Sequence, residues 1–184
     1  MTNKITIEQV LNFWFSKPMS DHWFSSTPEI DQRIIDGYES LWKQARAGKL
    51  NTWQESSDGC LALCIILDQI PLNMFRGTAK SFSTEQQAVE ITKHAIKEAF
   101  DDEVPNDRVS FLYMPLMHSE NMDDQNLAVQ CFEKVKLEGN LKFAKHHRGI
   151  VEKYGRFPHR NEALGRVSSQ AEMEYLNSDK AFTG

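Results

Sequence analysis

A chain of 184 residues is long enough for one domain with a sizeable core and short for two. Forty per cent apolar against 26% charged residues predicts an ordered globular chain, with disorder expected at most at the ends. A net charge of −5 argues against a general nucleic-acid binder, which needs a basic face to neutralise phosphates. Cys60, Cys64 and Cys131 have no paired spacing, so neither a zinc motif nor a disulfide framework is expected, and the reducing cytoplasm is the expected compartment. The start, Met1-Thr-Asn-Lys-Ile-Thr6, lacks a signal-peptide pattern. The strongest apolar run, Cys60 to Leu67, is far below the roughly 20 residues that cross a bilayer.

Apolar positions recur at helical spacing almost throughout, which predicts an all-α chain of about eight helices in an antiparallel array. Thr6 caps a first helix with Ile7, Val10, Leu11, Trp14 and Phe15 on one stripe, ended by Pro18. A second follows Thr27, with Pro28 in its first turn, and stops at Gly48. Gly59 to Ile70 is apolar on every side, the mark of a central helix, and Pro71 is expected to close it before a loop over 73–81. Ser83 and Gln86 make a capping-box pattern for a helix through Ala88, Ile91, Ala95 and Ala99. Pro105 to Met114 is a further helix, cut by Pro115. Asp123 or Asp124 caps the next, Gly139 separates it from Leu141 to Tyr154, and Gly155 ends that one. Ser169 and Glu172 box a last short helix with Met173 and Leu176, leaving a polar tail from about 178 to 184 on a single domain. No internal repeat of about 34 residues emerges.

Two stretches, Phe111 to Gln125 and Tyr154 to Asn161, mix aromatic, proline and glycine residues with clustered His, Glu, Asp and Arg. They hold the candidate site. His118 and Glu120 flank a turn where an imidazole and a carboxylate can share a proton task, and His159 lies in a cationic turn with Arg156 and Arg160 that suits an anion. These make His118, Glu120 and His159 the candidate catalytic groups. Asp68, at the end of the central helix, requires partners, for which Arg76, Arg156 and Arg160 are the available forks. His147 shares a helical face with Phe143, Ile150 and Val151, which makes it a buried histidine satisfied by one hydrogen bond or a ligand-binding group. With Asn73 they complete a candidate ligand-binding set of Asp68, Asn73, Arg76, His147, Arg156 and Arg160. His118, Glu120, His147 and His159 are a conceivable nitrogen and oxygen donor set, but no helical His pair supports it and no metal is expected. No dinucleotide, flavin or phosphate-loop fingerprint is present, so no cofactor is expected. Trp14, Trp23, Trp42 and Phe75 read as core or wall.

With Val10-Leu-Asn-Phe-Trp-Phe15, Trp23-Phe24, the Leu41-Trp42 helix running to Gly48, Ile66-Leu-Asp-Gln-Ile-Pro-Leu-Asn-Met-Phe-Arg-Gly77, Phe111 to Gln125 and Arg156-Phe-Pro-His-Arg-Asn161, the chain resembles the bacterial family known as domain of unknown function 924 nearly end to end. The resemblance implies a tetratricopeptide-like stack of helix pairs with a concave face, and no activity. Ile70, Leu72 and Met117 depart from the family's pattern by changes that preserve volume.

Two functional readings result. One is a polar His, Glu, Asp and Arg pocket for a small anionic ligand, acting as a hydrolase or another acid/base enzyme, with Arg76 and Arg156 anchoring the substrate. The other is a tetratricopeptide-like interaction module for a peptide, whose polar motifs are internal staples. Monomer and dimer are equally compatible with the sequence.

Overall fold

The computed structural model describes residues 5–182, so the start Met1 to Lys4 and the last two residues of the expected tail lie outside the described residues. The class is all-α, with no strand among the described residues. The helices are α1 (Ile7–Phe15), α2 (Pro28–Arg46), α3 (Ser57–Cys64), α4 (Ile70–Met74), α5 (Glu85–Lys97), α6 (Val109–His118), α7 (Met122–Lys134), α8 (Glu138–Tyr154) and α9 (Gln170–Leu176). A π-helical turn over Ile65–Gln69 fuses α3 and α4, so the described chain carries eight helical rods. By contact it forms two compact units, 1–76 with 80–115 and 77–79 with 116–184.

In the first unit Thr6 does cap α1, in a reciprocal box with Gln9, and Thr27 caps α2 through Ile30 N–H. The centre is the α3–π–α4 rod, whose residues Cys60 to Ile70 are all buried. Gly59 is required there, because a Cβ would stand 1.9 Å from the Trp53 carbonyl oxygen. Pro71 does not close this helix. It lacks the N–H that an α-helical register would aim at the Leu67 carbonyl. The turn relaxes to π geometry, with Ile70 N–H donating to Ile65 O, and Leu67 O accepts instead from Thr84 Oγ at 2.5 Å. Thr84 Oγ in turn accepts from Trp42 Nε1 at 3.1 Å. That task displaces the expected capping box: α5 starts one residue later than a Ser83 cap would place it, with Thr84 at its N-cap and no side-chain cap bond.

Trp14 and Trp42 are core, as expected, and Phe111 stacks edge-on against Trp14, Phe15 and Trp23 at centroid distances of 5.7, 5.4 and 4.7 Å. Pro115 does not cut its helix either: α6, which begins later than expected at Val109, continues to His118 with Pro115 inside.

In the second unit α7 and α8 form an antiparallel hairpin through residues 135–137. Asn121, not Asp123 or Asp124, is the N-cap of α7, accepting from both their N–H groups. Gly139 lies inside the first turn of α8, and the reversal falls on Lys136 at φ 55°. Gly155 ends α8 at φ +70°, and Ser169 with Glu172 boxes α9, both as expected. The tail is not all polar display: Phe182 N–H donates to the Tyr175 hydroxyl at 2.8 Å, and its ring packs against the core of Ile150, Val151 and Phe157.

Candidate functional site

The last turn of α6 ends in carbonyls that no helix residue can serve, and long side chains of the second unit serve them. Gln125, fully buried, donates to Met117 O at 2.7 Å and Ser119 O at 2.6 Å, while Arg160 Nη2 donates to His118 O at 2.8 Å. Arg160 also lies over the Phe157 ring, 4.7 Å from its centroid. Neutralising a helix C-terminus is thus one job of the cationic turn.

Glu120 does not orient His118. Its Oε1 accepts from Phe157 N–H at 2.8 Å and Arg166 Nη2 at 2.9 Å, and its Oε2 accepts from Arg166 Nη1 at 2.7 Å. Burial pushes this carboxyl up, but the Arg166 hydrogen bonds and charge with the Phe157 N–H outweigh it and leave it below its usual range. Arg166 is itself held by Asn161 Oδ1 at 3.0 Å and Phe157 O at 3.2 Å. A second clamp joins Arg156 to Glu172 at 2.6 and 2.9 Å, with Val167 O accepting from the same guanidinium at 3.0 Å. The hydrogen bonds to Glu172, led by those from Arg156 and joined by Ser169 and Asn161, hold its carboxyl well below the usual carboxylate range.

The three histidines of the motifs and α8 lie together. His147 is buried, its Nδ1 2.8 Å from Phe143 O, which is the one-hydrogen-bond arrangement open to it from sequence. The Phe143 ring itself is 58% exposed, so the buried face of α8 runs through Leu141, Ala144, His147, Ile150 and Val151. The His147 ring is 6.4 Å from that of His118 and 5.5 Å from Phe157. Burial, with His118 beside it, pushes His147 down to about 3. Burial and the neighbouring Arg160 push His159 down to about 4, and its Nδ1 is buried with no hydrogen-bond partner. Both rings are therefore neutral near pH 7. Among the described residues no group of three or more His, Cys, Asp or Glu is placed to hold a metal ion.

The first unit carries the rest of the expected set. Asp68 is buried in the π turn, its Oδ2 accepting from Gln69 Nε2 at 2.6 Å. The proposed clamp from Arg76 does not form, because Arg76 turns to Asp31 at 3.3 and 3.4 Å and to Asn73 Oδ1 at 3.0 Å. The clamp from Arg156 is likewise replaced by its pairing with Glu172. Asn73 Nδ2 donates to Gln69 O at 3.1 Å, so it braces the rod's end.

Two cavities are lined by other parts of the described chain, one of them reaching Arg156. A cavity of about 290 Å³ is lined by residues of α1, of α2 and of the connection between them, including Asn12, Phe13, Met19 and Arg33, and one of about 430 Å³ by Lys153, Tyr154, Arg156, Ser169, Ala171 and Glu172. Neither is lined by a histidine. Arg166, Gln125 and Phe182 are the participants that sequence reasoning missed. Arg166 stands 46 residues from Glu120 and carries no local pattern; its nearest signal is the Asn161 at the end of the second motif, to which it bonds.

No curated protein matches the chain. Among solved structures it is similar to the protein of unknown function ATU0120 from Agrobacterium tumefaciens, at 34% identity and a TM-score of 0.87 over 93% of this chain and 96% of that one. The family profile described as bacterial protein of unknown function (DUF924) matches residues 10–180, a span that takes in both polar motifs, their clamps and the histidines, so the chain belongs to that family.

Proposed function

We propose that the protein is a helical binding module and not an acid/base enzyme: the charged residues of its two motifs stitch the second unit together, and a peptide segment or small anionic molecule is bound without being turned over. The observation that carries this reading is the Glu120 carboxylate, which accepts three hydrogen bonds from Arg166 and Phe157 and has none with His118. A carboxylate so engaged has its proton affinity lowered and its lone pairs occupied, the opposite of what a proton shuttle at neutral pH requires. The tetratricopeptide-like stacking of helix pairs and a cytoplasmic setting belong to the same reading, as does the absence of any described helix long and apolar enough to cross a membrane. Thermal melting of Arg156→Ala and Glu120→Gln tests it. Both variants are expected to melt below the parent chain, and an unchanged melting temperature in both would remove the staples.

A second reading, binding of a small anion at the histidines, is favoured by one feature: the buried, unpartnered Nδ1 of His159. Native proteins leave few such atoms, and a ligand acceptor is one way to account for it.

A further inference from the structure

After α9 the chain reverses, with Ala181 N–H donating to Ser178 O at 3.0 Å, and lays Phe182 into the histidine cluster. The Phe182 ring is 4.4 Å from His147 and 5.0 Å from His159, in edge-to-face geometry with both. Its backbone N–H is pinned by the Tyr175 hydroxyl at 2.8 Å. Residues 177–180 between these anchors are exposed. Asn177 and Ser178 stay bonded to Met173 and Tyr175 at the end of α9, and beyond them the described segment is held by the Phe182 ring and its N–H to the Tyr175 hydroxyl, so its outer part opens at low cost compared with the unfolding of the helices beneath it.

What the ring covers has the chemistry of a ligand site. The floor is apolar, formed by Ile150, Val151 and Phe157. At its side stands His159, whose Nδ1 lacks a partner and whose surroundings are made positive by Arg160 and Arg166. Glu120, an acid whose charge acts on His159, is already paired with Arg166. An apolar floor with an unpartnered imidazole nitrogen and a cationic field suits a flat apolar body carrying one negative charge.

We propose that this recess is a binding site for a small aromatic carboxylate, and that residues 177–182 occupy it in cis, Phe182 standing where the ligand's ring binds. The ligand's carboxylate accepts from His159 Nδ1–H, and the segment swings out when the ring is displaced. The proposal rests on the second reading above and adds the ligand class and the internal competitor.

The test uses the whole chain with phenylacetate, benzyl alcohol and inorganic phosphate as probes, followed by heteronuclear NMR of the histidine rings and by calorimetry. Phe182→Ala is expected to bind phenylacetate about tenfold or more tighter than the parent chain, because the competent state is no longer masked. Tyr175→Phe, which removes only the hydroxyl that pins the segment, is expected to move affinity in the same direction and guards against misfolding of the first variant. Benzyl alcohol, lacking the charge, is expected to bind neither. Equal phenylacetate affinity in all three chains, or binding that leaves the His147 and His159 signals unmoved, overturns the proposal. If phosphate shifts His159 while phenylacetate does not, anion binding at the histidines stands and the aromatic class falls; if neither anion shifts them, both fall.

Discussion

Thr84 does for Leu67 what Pro71 cannot: its hydroxyl donates to the Leu67 carbonyl at 2.5 Å, the acceptor that a regular helix would have paired with the missing N–H of residue 71. The same hydroxyl accepts from Trp42 Nε1, so one buried oxygen serves a donor on α2 and an acceptor on the central rod. Thr84→Val keeps the shape and strands both groups, and is expected to destabilise by about 2–3 kcal/mol in urea unfolding. Thr84→Ser, which keeps the oxygen, is expected to recover most of that loss.

Gly59→Ala places a methyl group 1.9 Å from the Trp53 carbonyl oxygen, a backbone atom that no rotamer change can move aside. The 3-10 turn at Asn51–Glu55 has to shift away from α3, and a loss of roughly 3 kcal/mol is expected from chemical denaturation. Indifference to this substitution would mean that the turn is not seated on the helix.

Glu120 and Arg166 are each about a quarter exposed, so their pairing is partly screened and smaller than that of a fully buried pair. Glu120→Gln and Arg166→Ala are each expected to cost about 1–2 kcal/mol, with a coupling of about 1 kcal/mol in a double-mutant cycle. Arg166→Lys is not expected to rescue, because two guanidinium nitrogens reach the two carboxylate oxygens and a lysine offers one point charge.

Acid weakens this fold through its histidines. His147 and His159 are held at about 3 and about 4 in the folded chain against an ordinary 6.5. Between those values the unfolded chain binds more protons than the folded one, so the stabilisation is complete above pH 6.5 and falls as pH drops toward 4. The slope is at most about 1.4 kcal/mol per pH unit for each histidine. The lowered carboxyls of Glu120 and Glu172 add their own loss below 4.5. Urea unfolding of the parent chain and His147→Phe from neutral pH to about pH 5 is expected to show a shallower decline in the variant.

What could be read in the sequence is what local chemistry decides. Thr6, Thr27 and Ser169 announce their helices because an N-cap serves amides two or three residues away, and the buried rod announces itself by having no polar face. Pro71 and Pro115 read as stops because their effect on a helix is local, whereas the compensation at Pro71, the Thr84 hydroxyl, arrives from 17 residues beyond Leu67. Asn121 was hidden by Asp123 and Asp124, residues of equal capping power two and three places on. His147 was legible as buried from its helical face, and the single bond to Phe143 O follows from the i−4 carbonyl being the acceptor in reach. The partners of Glu120 and Arg156 were not legible, since carboxylates and guanidiniums distant in sequence carry no mark of which will meet.

The Arg166 clamp on Glu120 changes what kinship through these motifs conveys. In this chain the pair sews the segment after α8 to the turn after α6, so the presence of these two residues speaks first for a seam. What the protein binds has to be sought in the surfaces that the seam holds in place.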